Sequence, residues 1–138
     1  MVNTLTNKIN VMNLYILGLV LLITPSSALV RTLDHANFDH IVGHKQGVFV
    51  KMYAPWCGHC KAMQPAWNML GDMFDTSTQT IIAETDCTRD LNEGLCNKMG
   101  VTGYPTILAF KAGSTQPSTY KGRRLYDDLK KFVDKGGV

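Results

Sequence analysis

The sequence predicts an α/β fold with a mixed central sheet flanked by helices on both faces. Three observations lead there. Short runs rich in Val and aromatic residues alternate with segments of helical period, and strands separated by helices pair in parallel through crossovers. The last two strands are joined by a short Gly/Pro turn, which argues for an antiparallel hairpin. The 138 residues are 45% apolar and 18% charged, the size and composition of one globular domain rather than a disordered, collagen-like or coiled-coil chain.

Residues 1–28 read as a leader. Lys8 is followed by an apolar run from Val11 to Ile23 broken only by Asn13, then by Pro25 and the small residues Ser26, Ser27 and Ala28. A basic start, a short apolar stretch and a small-x-small site make a secretory signal peptide, with cleavage expected after Ala28. As a helix the run spans about 20 Å, short of a ~30 Å hydrocarbon core, so no stable membrane span is expected. Residues 29–138 then form one domain in an oxidising compartment, where cysteines can pair. Fourteen Lys/Arg against eleven Asp/Glu give a charge of +3, too small and too dispersed to argue for nucleic acid.

The elements follow in order. Val30 to Leu33 is a short edge strand. Asp34 caps a helix carrying Phe38, Ile41 and Val42, which Gly43 ends. Gly47 to Tyr53 is a buried strand that Ala54-Pro55-Trp56 breaks. Cys57 to Phe74 is helical, because Met63, Ala66, Trp67, Leu70, Met73 and Phe74 recur at helical spacing. Met63, Met69 and Met73 are expected to fill core gaps. Thr80 opens a third strand that ends near Asp86, and Leu91 to Met99 is a short helix that Gly100 closes. Thr106 to Phe110 and Ser118 to Tyr120 are the hairpin strands. Leu125 to Lys135 is an amphipathic helix with Leu125, Leu129, Phe132 and Val133 facing in.

The chemistry sits in Trp56-Cys57-Gly58-His59-Cys60-Lys61, where a strand becomes a helix. Cysteines at i and i+3 in a first helical turn are close enough to bridge. Cys57 stands at the helix start, where unpaired N–H groups and the positive dipole end favour a thiolate, the form that attacks disulfides. Cys60 lies one turn deeper. Cys57 is therefore the expected nucleophile and Cys60 the resolving thiol. A C-x-x-C by itself also occurs in zinc sites and inert disulfides, but zinc wants a second close pair, and Cys87 and Cys96 are not C-x-x-C. No metal site is expected.

Tyr53-Ala54-Pro55-Trp56-Cys57-Gly58-His59-Cys60-Lys61 resembles the active-site block of protein disulfide isomerase catalytic domains, and Val101-Thr102-Gly103-Tyr104-Pro105-Thr106 resembles their second signature. Asp86-Cys87-Thr88, Phe110-Lys111-Ala112-Gly113 and Tyr120-Lys121-Gly122-Arg123 also match family positions, so the likeness runs from about residue 30 to 136. The resemblance implies a thioredoxin fold with Pro105 cis and packed against the cysteine pair. It implies that the backbone at Tyr104 pairs with an extended substrate segment, with Trp56 and Tyr104 lending apolar surface. His59 between the cysteines would stabilise a neighbouring thiolate, and stabilising the dithiol form makes the disulfide a better oxidant.

Two departures from the family pattern stand out. The family usually carries an acid beneath the cysteine pair and Lys on the partner strand; this chain has Lys51 and Glu84. The two are expected either to form an exchanged ion pair, with Glu84 accepting the proton that Lys51 cannot, or both to reach water. Lys111 matches a basic position that tunes the resolving cysteine in the family. Cys87 and Cys96 form a structural disulfide, remain free thiols or act as a second redox pair; the first is the expectation.

The expected activity is oxidation and isomerisation of disulfides in unfolded or partly folded cysteine-containing clients of the secretory pathway. The redox couple is the protein's own, so no cofactor is needed, and an upstream thiol oxidase or glutathione would reload it. A client-binding chaperone module with accessory cysteines and a dedicated reductase are the rival readings. The chain ends Lys135-Gly136-Gly137-Val138 without a KDEL-type signal, which leaves the endoplasmic reticulum lumen and secretion both open.

Overall fold

Strand β2 (Gly47–Tyr53) is the spine of the structure. Six of its seven residues are buried, as a strand covered on both faces requires. A computed structural model describes residues 29–138, and the signal peptide read in 1–28 lies outside the described residues. Around β2 the described elements run β1 (Arg31–Thr32), α1 (Phe38–Ile41), β2, α2 (Gly58–Phe74), β3 (Thr80–Asp86), α3 (Asp90–Lys98), β4 (Thr106–Phe110), β5 (Ser118–Thr119) and α4 (Tyr126–Asp134). The sheet order is β1-β3-β2-β4-β5. β3 lies parallel to both β1 and β2, while β4 is antiparallel to β2 and β5 to β4.

Side chains of a strand alternate between faces, and each face has its own core. On one face Val48, Val50 and Met52 meet Ile81, Ala83, Leu108 and Phe110 under α1 and α3. On the other, Phe49, Ile82, Ile107 and Ala109 meet Met63, Trp67 and Leu70 of α2 and Leu129 and Val133 of α4. Phe49 anchors this second core, with ring centroids 5.1 Å from Trp67 and 5.3 Å from Phe132. The Trp67 indole N–H is satisfied by the Ala83 carbonyl at 3.1 Å. Helix α2 also lies hard against the chain entering β1. A Cβ on Gly71 would stand 2.6 Å from Val30 Cγ2, so only glycine allows that approach.

Local corrections follow from packing. Asp34 Oδ1 accepts the N–H groups of Ala36 and Asn37, so it caps a turn, and α1 proper starts after Asn37. Leu125 does not face in. It is the N-cap of α4 and 58% exposed, because the helix begins one residue later than its apolar pattern. Of the three methionines on α2 only Met63 is buried; Met69 and Met73 fall on the outer flank and are each 53% exposed.

Thr85 breaks the apolar alternation of β3. It is fully buried on the α1/α3 side, and its Oγ1 has no hydrogen-bond partner among the described residues. An orphaned buried hydroxyl costs roughly 1–3 kcal/mol. Thr85→Val keeps the shape and removes the orphan. Urea unfolding should show the variant more stable by about 1 kcal/mol; a less stable variant would mean that the hydroxyl is satisfied.

Candidate active site

The site forms where β2 gives way to α2. Cys57 has extended backbone angles and is the N-cap of the 17-residue helix. Its Sγ takes the place of the usual capping oxygen and accepts the Cys60 N–H at 3.2 Å. From the opposite side, the Cys57 thiol lies 3.5 Å from the carbonyl oxygen of Tyr104, in the donor sense. Tyr104–Pro105 is a cis peptide bond, and Pro105 is buried. Both cysteines are free thiols and largely buried, Cys60 slightly more so at 3% exposure against 7%.

The two sulfurs are electrostatically unequal. A hydrogen bond from the Cys60 thiol holds the Cys57 thiol below its ordinary range, against the opposing effect of desolvation. The backbone N–H groups of Cys60 and His59 and the Arg124 guanidinium act in the same lowering direction. Burial and the bond to Cys57 push the Cys60 thiol up to about 11, opposed by a backbone hydrogen bond at Ala54 and by the charge of Lys51. Of the two, Cys57 is the readier to become a thiolate and Cys60 the readier to keep its proton, an asymmetry that suits attack followed by resolution.

The other predicted residues take distinct places. Gly58 opens α2, and the exposed His59 acts on Cys57 through its backbone N–H. Trp56 is 71% exposed and stacks edge-on against Tyr104 with centroids 5.9 Å apart. Lys51 is fully buried, and its Nζ lies 2.9 Å from Glu84 Oε2, so the alternative in which both residues reach water does not hold. Glu84 is bonded to Lys51 and Gln64 rather than to Cys60. Cys87 and Cys96 are disulfide-bonded. Lys111 is a correction. β4 starts beside the active site and runs away from it, pairing Thr106 with Met52 and Phe110 with Val48. Lys111 follows Phe110 and is exposed at the far end of the strand, where it cannot swing to Cys60.

Two site residues escape the sequence reading. Arg124, in the loop before α4, donates from Nη2 to the Pro105 carbonyl at 3.5 Å and is the cation that bears on Cys57. Nothing local marks it; the fold alone brings it to a residue 19 positions away. Gln64 joins the Lys51–Glu84 pair, and its signal was its i+4 spacing from Cys60. Among the described residues no group of three or more His, Cys, Asp or Glu gathers as a metal site would require, and no helix is long and apolar enough to cross a membrane. Replacing Arg124 with Gln should raise the Cys57 thiol toward its ordinary range and slow its alkylation at pH 7 by about two- to fivefold. The pH profile of iodoacetamide labelling measures this, and an unmoved profile would remove Arg124 from the site.

Comparison with known proteins agrees with this geometry. The thioredoxin family matches residues 29–135. Similar proteins include a probable protein disulfide-isomerase A6 of Medicago sativa, 40% identical over 86% of this chain and 32% of its own length. The protein disulfide-isomerase-like protein EhSep2 of Emiliania huxleyi is 43% identical over 79% of this chain and 49% of its own. This chain therefore spans about a third to a half of these relatives. Among solved structures, the first thioredoxin domain of mouse protein disulfide-isomerase A4 superposes with a TM-score of 0.68 at 34% identity, covering 79% of this chain and 76% of that one. The J-Trx1 fragment of ERdj5 gives a TM-score of 0.67 at 28% identity, covering 77% of this chain and 49% of that one. With family match, fold and site geometry in agreement, the chain belongs to the thioredoxin family, among the domains of protein disulfide-isomerase type.

Proposed function

We propose that this domain is a dithiol–disulfide oxidoreductase that oxidises and isomerises disulfides in cysteine-containing clients of the secretory pathway. The observation that carries the reading is the inequality of two adjacent thiols: Cys57 caps a helix and is lowered, while Cys60 is buried and raised. In isomerisation the Cys57 thiolate attacks a client disulfide, forming a mixed disulfide and freeing one client thiolate; another client thiolate then attacks the client sulfur of the mixed disulfide, forms a new client disulfide and releases Cys57 with no net change of oxidation state. When Cys60 loses its proton and attacks Cys57 instead, the client leaves reduced and the pair is left as the disulfide. In the oxidising direction the disulfide form receives the attack, and glutathione or an upstream thiol oxidase restores it. An extended client segment docks along Tyr104 and Pro105 with its apolar side chains against Trp56. The endoplasmic reticulum lumen or the secreted medium is the setting, in keeping with the leader read in 1–28.

Cys60→Ser should trap a Cys57-linked mixed disulfide with a two-cysteine peptide, visible on non-reducing gels, whereas Cys57→Ser should trap none. If the wild-type domain oxidises that peptide in glutathione buffer no faster than the buffer alone, the enzymatic reading fails and a client-binding role is left. A dedicated reductase would instead show a potential near the thioredoxin value, about −270 mV.

The Cys87–Cys96 bond is structural in this reading. It closes a short loop, with the two cysteines nine positions apart, between the end of β3 and α3. Removing both cysteines as Ala should lower stability by roughly 2–3 kcal/mol and leave the glutathione equilibrium of Cys57–Cys60 unchanged. A shifted equilibrium would make the bond part of the redox site.

A further inference from the structure

Lys51 lies on the central strand, fully buried, on the face that Phe49, Ile82 and Trp67 make apolar. Glu84 is its register partner on β3, and the two are joined at 2.9 Å. Nζ also donates to Gln64 Oε1 and stands 4.9 Å from the centroid of the Tyr53 ring. An ion pair removed from water is seldom better for stability than well-packed apolar side chains of the same volume. The core therefore does not explain this charge.

The placement of Gln64 does. Gln64 follows Cys60 by four residues on α2, so the two side chains share a helix face. Cys60, Gln64 and Tyr53 line one cleft of about 250 Å³. The ammonium that Gln64 holds and Tyr53 flanks therefore lies under the resolving sulfur, and its charge bears on that sulfur in the direction that favours the anion. The other ionisable groups around it are Cys57 at the helix cap, which opposes the anion, and Glu84, whose charge bears on Tyr53 together with those of Asp86 and Arg89.

We propose that Lys51 is a positioning charge for the reaction: its buried ammonium, held by Glu84 and Gln64, favours the Cys60 thiolate and so makes Cys60 a better leaving group when the Cys57–Cys60 disulfide is attacked. This rests on the oxidoreductase reading above. A client thiolate attacks Cys57 Sγ, the bond to Cys60 Sγ breaks, and its electron pair departs on Cys60. A second client thiolate then attacks the client sulfur of the mixed disulfide, closes the client's own disulfide and releases Cys57 as a thiolate. The client loses two electrons, the cysteine pair gains them, and Cys60 finally takes a proton from solvent. A leaving thiolate of lower basicity departs faster.

The test compares the wild type with Lys51→Met and with the charge-exchanged double variant Lys51→Glu/Glu84→Lys. Two readouts are taken, the rate at which glutathione opens the Cys57–Cys60 disulfide at pH 7 and the pH profile of Cys60 alkylation in a Cys57→Ser background. Lys51→Met should slow that opening several-fold, because the departing Cys60 thiolate becomes more basic. Its Cys60 profile should move to higher pH. The exchanged variant keeps an ion pair but reverses the sign beneath Cys60, so it should shift both readouts further in the same direction. If either folded variant matches the wild type within about twofold in both readouts, the pair is only structural and the inference falls. Should the exchanged variant not fold, Lys51→Met decides alone, because methionine fills the same space without the charge. A wild-type pair that never equilibrates with glutathione would overturn the oxidoreductase reading, and this inference with it.

Discussion

The structure depends on a sulfur doing the work of a helix cap. Helix α2 needs a partner for its first N–H groups, and an oxygen from Ser, Thr, Asp or Asn would ordinarily supply it. Here Cys57 Sγ accepts the Cys60 N–H. The same contact that starts the helix therefore stabilises negative charge on the nucleophile. Folding and reactivity are coupled in one hydrogen bond, and the helix dipole adds to both. The inequality of the two thiols then follows. The residue that caps is at the mouth of the helix, and the residue that donates to it lies one turn inside, against the sheet.

Strand direction assembles the rest of the site. β2 and β4 are antiparallel, so the end of β2 and the beginning of β4 lie at the same edge of the sheet. That is why Tyr104, 47 residues along the chain, presents its carbonyl to Cys57. The short hairpin into β5 returns the chain toward the same edge, where Arg124 reaches the Pro105 carbonyl. One topological choice thus supplies the nucleophile, the loop beside it and the nearby cation from three distant stretches of sequence.

The same geometry explains what was readable beforehand. The order of elements was legible because the three long strands carry dense apolar runs and each longer helix a clear period, and β2 and β4 were located to the residue. The placement of Cys57 and Cys60 at the start of α2 was legible because a strand-to-helix junction is a local pattern. Lys111 misled because a matching residue type says nothing about which end of a strand it occupies. Arg124 was invisible for the complementary reason, since its role is made by chain return and leaves no local pattern. Leu125 and Met73 show a finer limit. Helical spacing sets which residues share a face, but not where a helix starts or how wide its covered stripe is, and both side chains fall just outside it.

Lys51 illustrates how a sheet can carry chemistry beneath a site as well as at its edge. Alternation along β2 assigns its side chain to the face under α2, where Phe49 finds apolar neighbours. An unpaired ammonium there would be untenable, so Glu84 opposite it on β3 and Gln64 from the helix above become necessary partners. Each comes from a different element, and together they bind β2, β3 and α2 at one point below the cysteines. A charge held by three elements has little freedom to relax when the sulfur above it changes state. Its field is therefore in place before the disulfide opens, which distinguishes a preorganised charge from a mobile surface lysine that would first have to reach the site.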